Sequence, residues 1–123
     1  MAPTTMPGQR TTTSPFGRNV EDVGMPIKMA ELLAALQTPA YITRQTVIKP
    51  KYIIKAKKAI KKAFIYQLEN RCFSFVELVS TCPTNWGMTP EESVKWAEDT
   101  LLSYYQLGEY KTPENRSGGT DAE

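Results

Sequence analysis

The stretch FSFVELVSTCPTNWGMTPEES, Phe73 to Ser93, decides the fold. Its first seven residues, Phe73 to Val79, form a dense apolar run interrupted only by Ser74 and Glu77. A run apolar on both faces reads as a strand covered by helices on each side of a parallel sheet. A turn-prone segment follows, Cys82, Pro83, Thr84, Asn85, Trp86 and Gly87. A helix start comes next. Thr89 and Glu92 have the spacing of a capping box, and Pro90 sits where the first helical residue needs no amide donor. Strand, irregular loop, helix is the grammar of a ligand site at the carboxyl end of a strand in an open α/β sheet.

On the amino-terminal side, Pro50 opens a long helix, Lys51 to Asn70, with the apolar stripe Ile53, Ala56, Ile60, Ala63, Phe64 and Leu68. Lys51, Lys55, Lys58 and Lys62 are expected on the opposite face. Before it, AYITRQTVI (Ala40 to Ile48) is rich in β-branched residues and reads as a strand. Earlier still, Met29, Leu32, Leu33 and Leu36 mark a short amphipathic helix within Ile27 to Leu36. Residues 1–26 carry threonine, proline and glycine without periodicity and read as an extended loop, with Phe16 and Arg18 as its expected anchors.

On the carboxyl side, a helix from Pro90 to Tyr105 is expected to bury Val94, Ala97 and Leu101. A short strand is expected over Leu107 to Tyr110. The polar tail, 111–123, is expected to be disordered. The expected organisation is therefore a loop (1–26), a partial α/β domain (27–110) and a tail (111–123). Strands alternating with helices define an α/β layer, with too few strands to stand alone comfortably.

At 123 residues the chain fits one domain or a piece of one. Histidine is absent, which removes Ser-His-Asp and Cys-His catalysis and histidine-based zinc sites. Cys72 and Cys82 are the two cysteines. Across an extended segment they lie roughly 30 Å apart, well beyond the reach of a disulfide. A net charge of +2 is too small to argue for a nucleic-acid or membrane partner. The opening residues show no signal-peptide pattern, and no apolar run approaches the length of a membrane helix. The expected location is the cytoplasm.

Seven lysines lie between Lys49 and Lys62. A solvated helix face explains them more simply than a nucleic-acid footprint, because no aromatic residues are interleaved for base stacking. A binding module using this helix on acidic partners is the rival reading, and a non-functional gene remnant a third. Glu91, Glu92, Glu98 and Asp99 read as a surface face complementing the helix dipole. Glu77, mid-strand, is expected to pair with a basic side chain on a neighbouring strand. Cys82 stands out: it follows a strand, precedes a proline in a polar loop, and is followed by a tryptophan. Free cysteines are commonly structural, and an iron–sulfur cluster generally needs four thiolates.

STCPTNWGMTPEES, together with MAPTTMPGQRTTTSPFGR and KPKYIIKAKKAIKKAF, resembles the β subunit of 2-oxoacid:ferredoxin oxidoreductases, in the 2-oxoglutarate and branched-chain 2-oxoacid branch. The resemblance covers Met1 to about Lys111. It implies the carboxyl-terminal portion of a thiamine diphosphate-binding fold, a parallel sheet with helices on both faces. The implied activity is oxidative decarboxylation of a 2-oxoacid, 2-oxoglutarate in the nearest branch, to an acyl-coenzyme A. Electrons would pass through a 4Fe–4S cluster to ferredoxin, and thiamine diphosphate with magnesium would supply the carbanion chemistry. Implied partners are an α subunit and small γ and δ subunits. Cys82 matches the family's fourth cluster cysteine; Cys72 matches none. The family's Gly-Asp-Gly anchor, its magnesium loop and the other three cysteines have no counterpart here, so the chain is expected to be inactive alone. In the family a Gly-Gly-Gln segment leads into the residues matching MAPTT. Met1 is therefore expected to be an internal methionine, as in a truncated frame or a split subunit.

Overall fold

A computed structural model describes residues 3–114. Its centre is β1 (Ala40–Thr46), whose side chains are buried on both faces, Gln45 being partly exposed. The helix α3 (Pro50–Leu68) returns the chain so that β2 (Phe73–Val79) lies parallel to β1, with Ala40 opposite Phe73 and Thr46 opposite Val79. A last strand, β3 (Gly108–Lys111), pairs antiparallel with the other edge of β1. The order β2-β1-β3 makes a mixed sheet in which β1–β2 is the parallel pair expected from the sequence.

Helices cover both faces. Tyr41 faces α3, where its ring lies 5.2 Å from that of Tyr66, and Ser74 of β2 donates to the Ala63 carbonyl on the same side. On the other face α2 (Met29–Ala34) sets Ala30 against Ala40 and Ile42, with Phe75 and Tyr110 packed around them. A second core cluster joins Val79 at the end of β2 to Ala97, Leu101 and Tyr105.

Arg44 lies in the middle of β1 and is fully buried. Its Nε donates to Glu77 at 3.0 Å, and its terminal nitrogens donate to both carboxylate oxygens of Glu31 on α2. Nη1 also reaches the Tyr110 hydroxyl at 2.9 Å. The guanidinium carbon lies 5.0 Å from the Tyr105 ring centre and 5.1 Å from that of Tyr110. Glu77 thus has the cross-strand basic partner that its mid-strand position predicted. The guanidinium beside Glu31 holds that carboxyl below its ordinary range.

Three expectations need correction. The strand β2, the most apolar in the sequence, is an edge strand rather than a fully covered one, and Phe73 and Leu78 are exposed. In α3 the buried side is Ala56, Ala59 and Tyr66, whose alanines let the helix approach the sheet closely; Phe64 and Leu68 of the predicted stripe face outward. Phe16, expected to anchor the first loop, is 96% exposed.

Arg18 does anchor. It is buried, and its guanidinium donates to the carbonyls of Gly24, Thr5 and Met25, closing residues 3–26 around itself. Within that segment α1 (Val20–Val23) is a single turn capped by Asn19. Gly17 passes so close to Gly8 that an added Cβ would lie 3.0 Å from the Gly8 carbonyl oxygen, and its φ of +85° disfavours side chains in any case. The tail expected to be disordered lies, from residue 115 onward, outside the described residues.

The helix after the loop begins where the capping box placed it. In α5 (Pro90–Trp96) the Glu92 amide donates to Thr89 Oγ1 at 3.2 Å, and the Thr89 amide to Glu92 Oε2 at 2.9 Å. It continues through a π-helical turn, Ala97–Leu101, into a last turn, α6 (Leu102–Tyr104). Replacing Thr89 with alanine should lower stability by about 1 kcal/mol. A reduced urea midpoint at unchanged slope is the expected reading; an unchanged midpoint would show that the cap contributes nothing.

Candidate functional site

Where β2 ends, the chain must turn away from the sheet while leaving the strand terminus accessible. Thr46 Oγ1 donates to the Val79 carbonyl at 2.6 Å and fixes that end. Three residues on, Cys82 lies immediately before α4 (Pro83–Trp86), a single helical turn. Pro83 supplies its first residue, and the Trp86 amide donates to the Cys82 carbonyl at 3.0 Å. Gly87, at φ +65°, closes the turn in the left-handed region that a residue without Cβ adopts freely. The Trp86 ring packs 4.8 Å from that of Trp96, fastening the turn to α5.

The first loop docks on this turn. The Thr12 amide donates to the Asn85 carbonyl at 3.0 Å, and the Thr12 hydroxyl donates to the Asn85 side-chain oxygen. Its far end is held by Tyr104 and Tyr105, whose hydroxyls donate to the carbonyls of Pro26 and Ile27. Between loop, strand end and turn lies a cavity of about 380 Å³, lined among others by Thr4, Thr5, Glu77, Cys82, Asn85 and Tyr105. Burial pushes the Tyr105 phenol up to about 12, so it stays protonated and able to donate throughout the physiological range.

The strand, loop and helix therefore form a cavity at the carboxyl end of β2, with Cys82 on its wall and exposed. Glu77 joins it from below, its carboxylate tied to Arg44. Cys72 lies at the opposite end of β2, and both thiols are free. Sequence reasoning missed the contribution of Thr4 and Thr5. A threonine pair in an aperiodic loop carries no signal until the loop's docking on Asn85 is known. Among the described residues no group of three or more histidine, cysteine, aspartate or glutamate side chains is arranged to hold a metal ion.

The lysines of α3 are partly engaged. Lys49 pairs with Glu98, and Lys62 pairs with Glu109 at 2.9 Å. No helix among the described residues is long and apolar enough to cross a membrane.

Fold and cavity define this chain as a small α/β unit with a cavity at the carboxyl end of β2. The chain is a homologue of 2-oxoacid:ferredoxin oxidoreductase subunits, matched along nearly its whole length to a portion of theirs. It is 36% identical over 121 residues to the ketoisovalerate oxidoreductase subunit VorA of Methanothermobacter marburgensis, a match covering 98% of this chain and 25% of VorA. The 2-oxoglutarate synthase subunit KorB of Archaeoglobus fulgidus is 36% identical over 101 residues, 82% of this chain and 33% of KorB. KorB of Methanocaldococcus jannaschii is 37% identical over 107 residues, 83% and 35% of the two chains. The chain thus spans between a quarter and about a third of the length of these relatives. No family model and no solved structure matches it.

Exposure separates the two thiols. A bulky maleimide should label Cys82 before Cys72, read by mass spectrometry of the digested protein. Equal labelling of the two, or faster labelling of Cys72, would contradict the placement of Cys82 on an open cavity wall.

Proposed function

We propose that this chain supplies the carboxyl-terminal portion of the thiamine diphosphate-binding β subunit of a 2-oxoacid:ferredoxin oxidoreductase. In this reading Cys82 is one of four ligands to its 4Fe–4S cluster. The match, along most of this chain, to subunits named for ketoisovalerate oxidoreductase and 2-oxoglutarate synthase carries the reading. The position of Cys82 supports it: the thiol is exposed, at a strand end, on a turn braced by Trp86 and Asn85.

The described residues do not complete either cofactor site. One cysteine on the cavity wall is a quarter of a four-cysteine ligand set, and among the described residues no group of three or more histidine, cysteine, aspartate or glutamate side chains comes together. No catalytic step is therefore assigned to this chain by itself. Its own work would be positional. Pro83 and Gly87 shape the turn that presents Cys82, Arg18 and Thr12 hold the neighbouring loop against it, and Glu77 links the cavity wall to the sheet. In the assembled enzyme the cofactors would supply decarboxylation and electron transfer to ferredoxin, with coenzyme A taking the acyl group. An α subunit and small γ and δ subunits are the proposed partners, the cytoplasm the proposed location, and 2-oxoglutarate the proposed substrate.

Two measurements test this. The isolated chain, given 2-oxoglutarate, thiamine diphosphate, magnesium and coenzyme A, should not reduce a viologen dye; reduction would refute its proposed incompleteness. When the chain is co-expressed with the remaining part of such a subunit, Cys82→Ala should remove the visible cluster absorbance. Unchanged absorbance would remove Cys82 from the ligand set.

A further inference from the structure

The outward face of α3 combines two kinds of side chain that a solvated helix keeps apart. Ala56, Ala59 and Tyr66 are the buried residues of this helix, on the side that meets the sheet. On the opposite side Ile54, Phe64, Ile65 and Leu68 are exposed, Leu68 by 81%. At 3.6 residues per turn, Lys57, Lys58 and Lys61 fall on that same side, and all three are exposed. A solvated face holds its lysines away from the large apolar groups. Here the two are interleaved.

These residues recur every three or four positions from Ile54 to Leu68, the spacing of a seam against one other helix. The seam is apolar at its ends, with Ile54 at one and Phe64, Ile65 and Leu68 at the other, and basic between them. Its midpoint is Lys61. At about 1.5 Å per residue it runs roughly 20 Å, about four turns of a partner helix. The helix lies on the Tyr41 face of the sheet, and none of its residues lines the cavity beside Cys82.

Charge decides what fits there. The sequence of α3, PKYIIKAKKAIKKAFIYQL, contains no aspartate or glutamate. Lys51 and Lys62, off the seam, reach Glu98 and Glu109, whereas Lys57, Lys58 and Lys61 have no carboxylate partner among the described residues. A second copy of this chain would set Lys61 against its own counterpart in either orientation, because it stands at the midpoint. Phosphates of a nucleic acid would satisfy the lysines and leave Phe64, Ile65 and Leu68 in water. Sinking this face into an anionic membrane would bury Lys61 at the centre of the stripe, where its side chain has no short path back to water. An acidic, amphipathic helix satisfies both kinds of group. Unpaired charge also speeds the encounter of separate chains, an advantage that a segment of the same polypeptide, already held nearby, does not need.

We propose that the outward face of α3, from Ile54 to Leu68, docks an acidic amphipathic helix of a separate protein chain. Carboxylates of that helix pair with Lys57, Lys58 and Lys61, and apolar groups at its two ends cover Ile54 and the Phe64–Leu68 cluster. Neither Cys82 nor an iron–sulfur cluster takes part.

The test titrates the full chain into a fluorescent synthetic helix that carries leucines at both ends of one face and glutamates between them, and reads anisotropy. This peptide should bind at least tenfold more tightly than the same peptide with lysine in place of glutamate. Lys57→Glu combined with Lys61→Glu, at exposed positions, should reverse the preference, an outcome that misfolding would not produce. Leu68→Asp should weaken binding of the glutamate peptide at least tenfold. Absence of binding, equal binding of the two peptides, or a preference that survives the charge reversal would overturn the proposal. So would tighter binding to phosphatidylserine vesicles or duplex DNA than to the peptide, or a homodimer of the chain that excludes the peptide. The peptide should stay bound when the remaining part of M. marburgensis VorA is added as a separate polypeptide. Its displacement would make the same subunit the occupant and would also overturn the proposal.

Discussion

The structure depends on one buried cation. Arg44 sits in the centre of the middle strand with no exposed surface, and burying an unpaired guanidinium would strongly oppose folding. The chain resolves this by bringing two carboxylates to it from different elements, Glu31 from α2 and Glu77 from β2, and by stacking Tyr105 and Tyr110 near its faces. Each partner is separately constrained. Glu77 can reach Arg44 only in the observed parallel register, where the two stand opposite each other. Tyr110 can reach it only if β3 closes beside β1, and Glu31 only if α2 lies on that face. One charge therefore specifies register, sheet order and helix placement together. Its value to the fold lies in specificity at least as much as in net stability, since a buried ion pair is often no more stabilising than well-packed apolar groups.

The same network reaches the cavity. Glu77 and Tyr105 contact Arg44 and also line the space beside Cys82. The cavity wall is therefore continuous with the most constrained part of the core. The loop side of the cavity is held by a second buried arginine, Arg18, which gathers the carbonyls of its own segment. The Cys82 turn is in this way braced from the sheet on one side and from the first loop on the other.

Much of this was legible in the residues. The bounds of β2, the capping box at Thr89 and Glu92, and the pairing of Glu77 with a base all follow from local rules, because hydrophobic period, proline placement and an isolated charge carry their meaning within a few residues. Other features needed the tertiary context. FSFVELV has the composition of a covered interior strand, yet among the described residues it lies at a sheet edge. The α3 stripe misled for a related reason. Its large apolar groups were assigned to the sheet, whereas alanines and Tyr66 make that contact and the large groups are left facing outward. Phe16 and Arg18 were equal candidates for anchoring the loop. Only the guanidinium, with several donors in one plane, could satisfy so many carbonyls at once. Cys82 was conspicuous from its Cys-Pro turn, but its ligand came from resemblance, since one thiol names no metal.

The most direct test of the organising role of Arg44 is a double-mutant cycle with Glu77 in the intact chain, using Arg44→Lys and Glu77→Gln and reading each unfolding free energy in urea. If the pair is the tie between central strand, edge strand and cavity wall, the two substitutions should couple by about 1 kcal/mol or more. Additivity within about 0.5 kcal/mol would mean that the side chains are neighbours without being a structural unit, and would contradict the account.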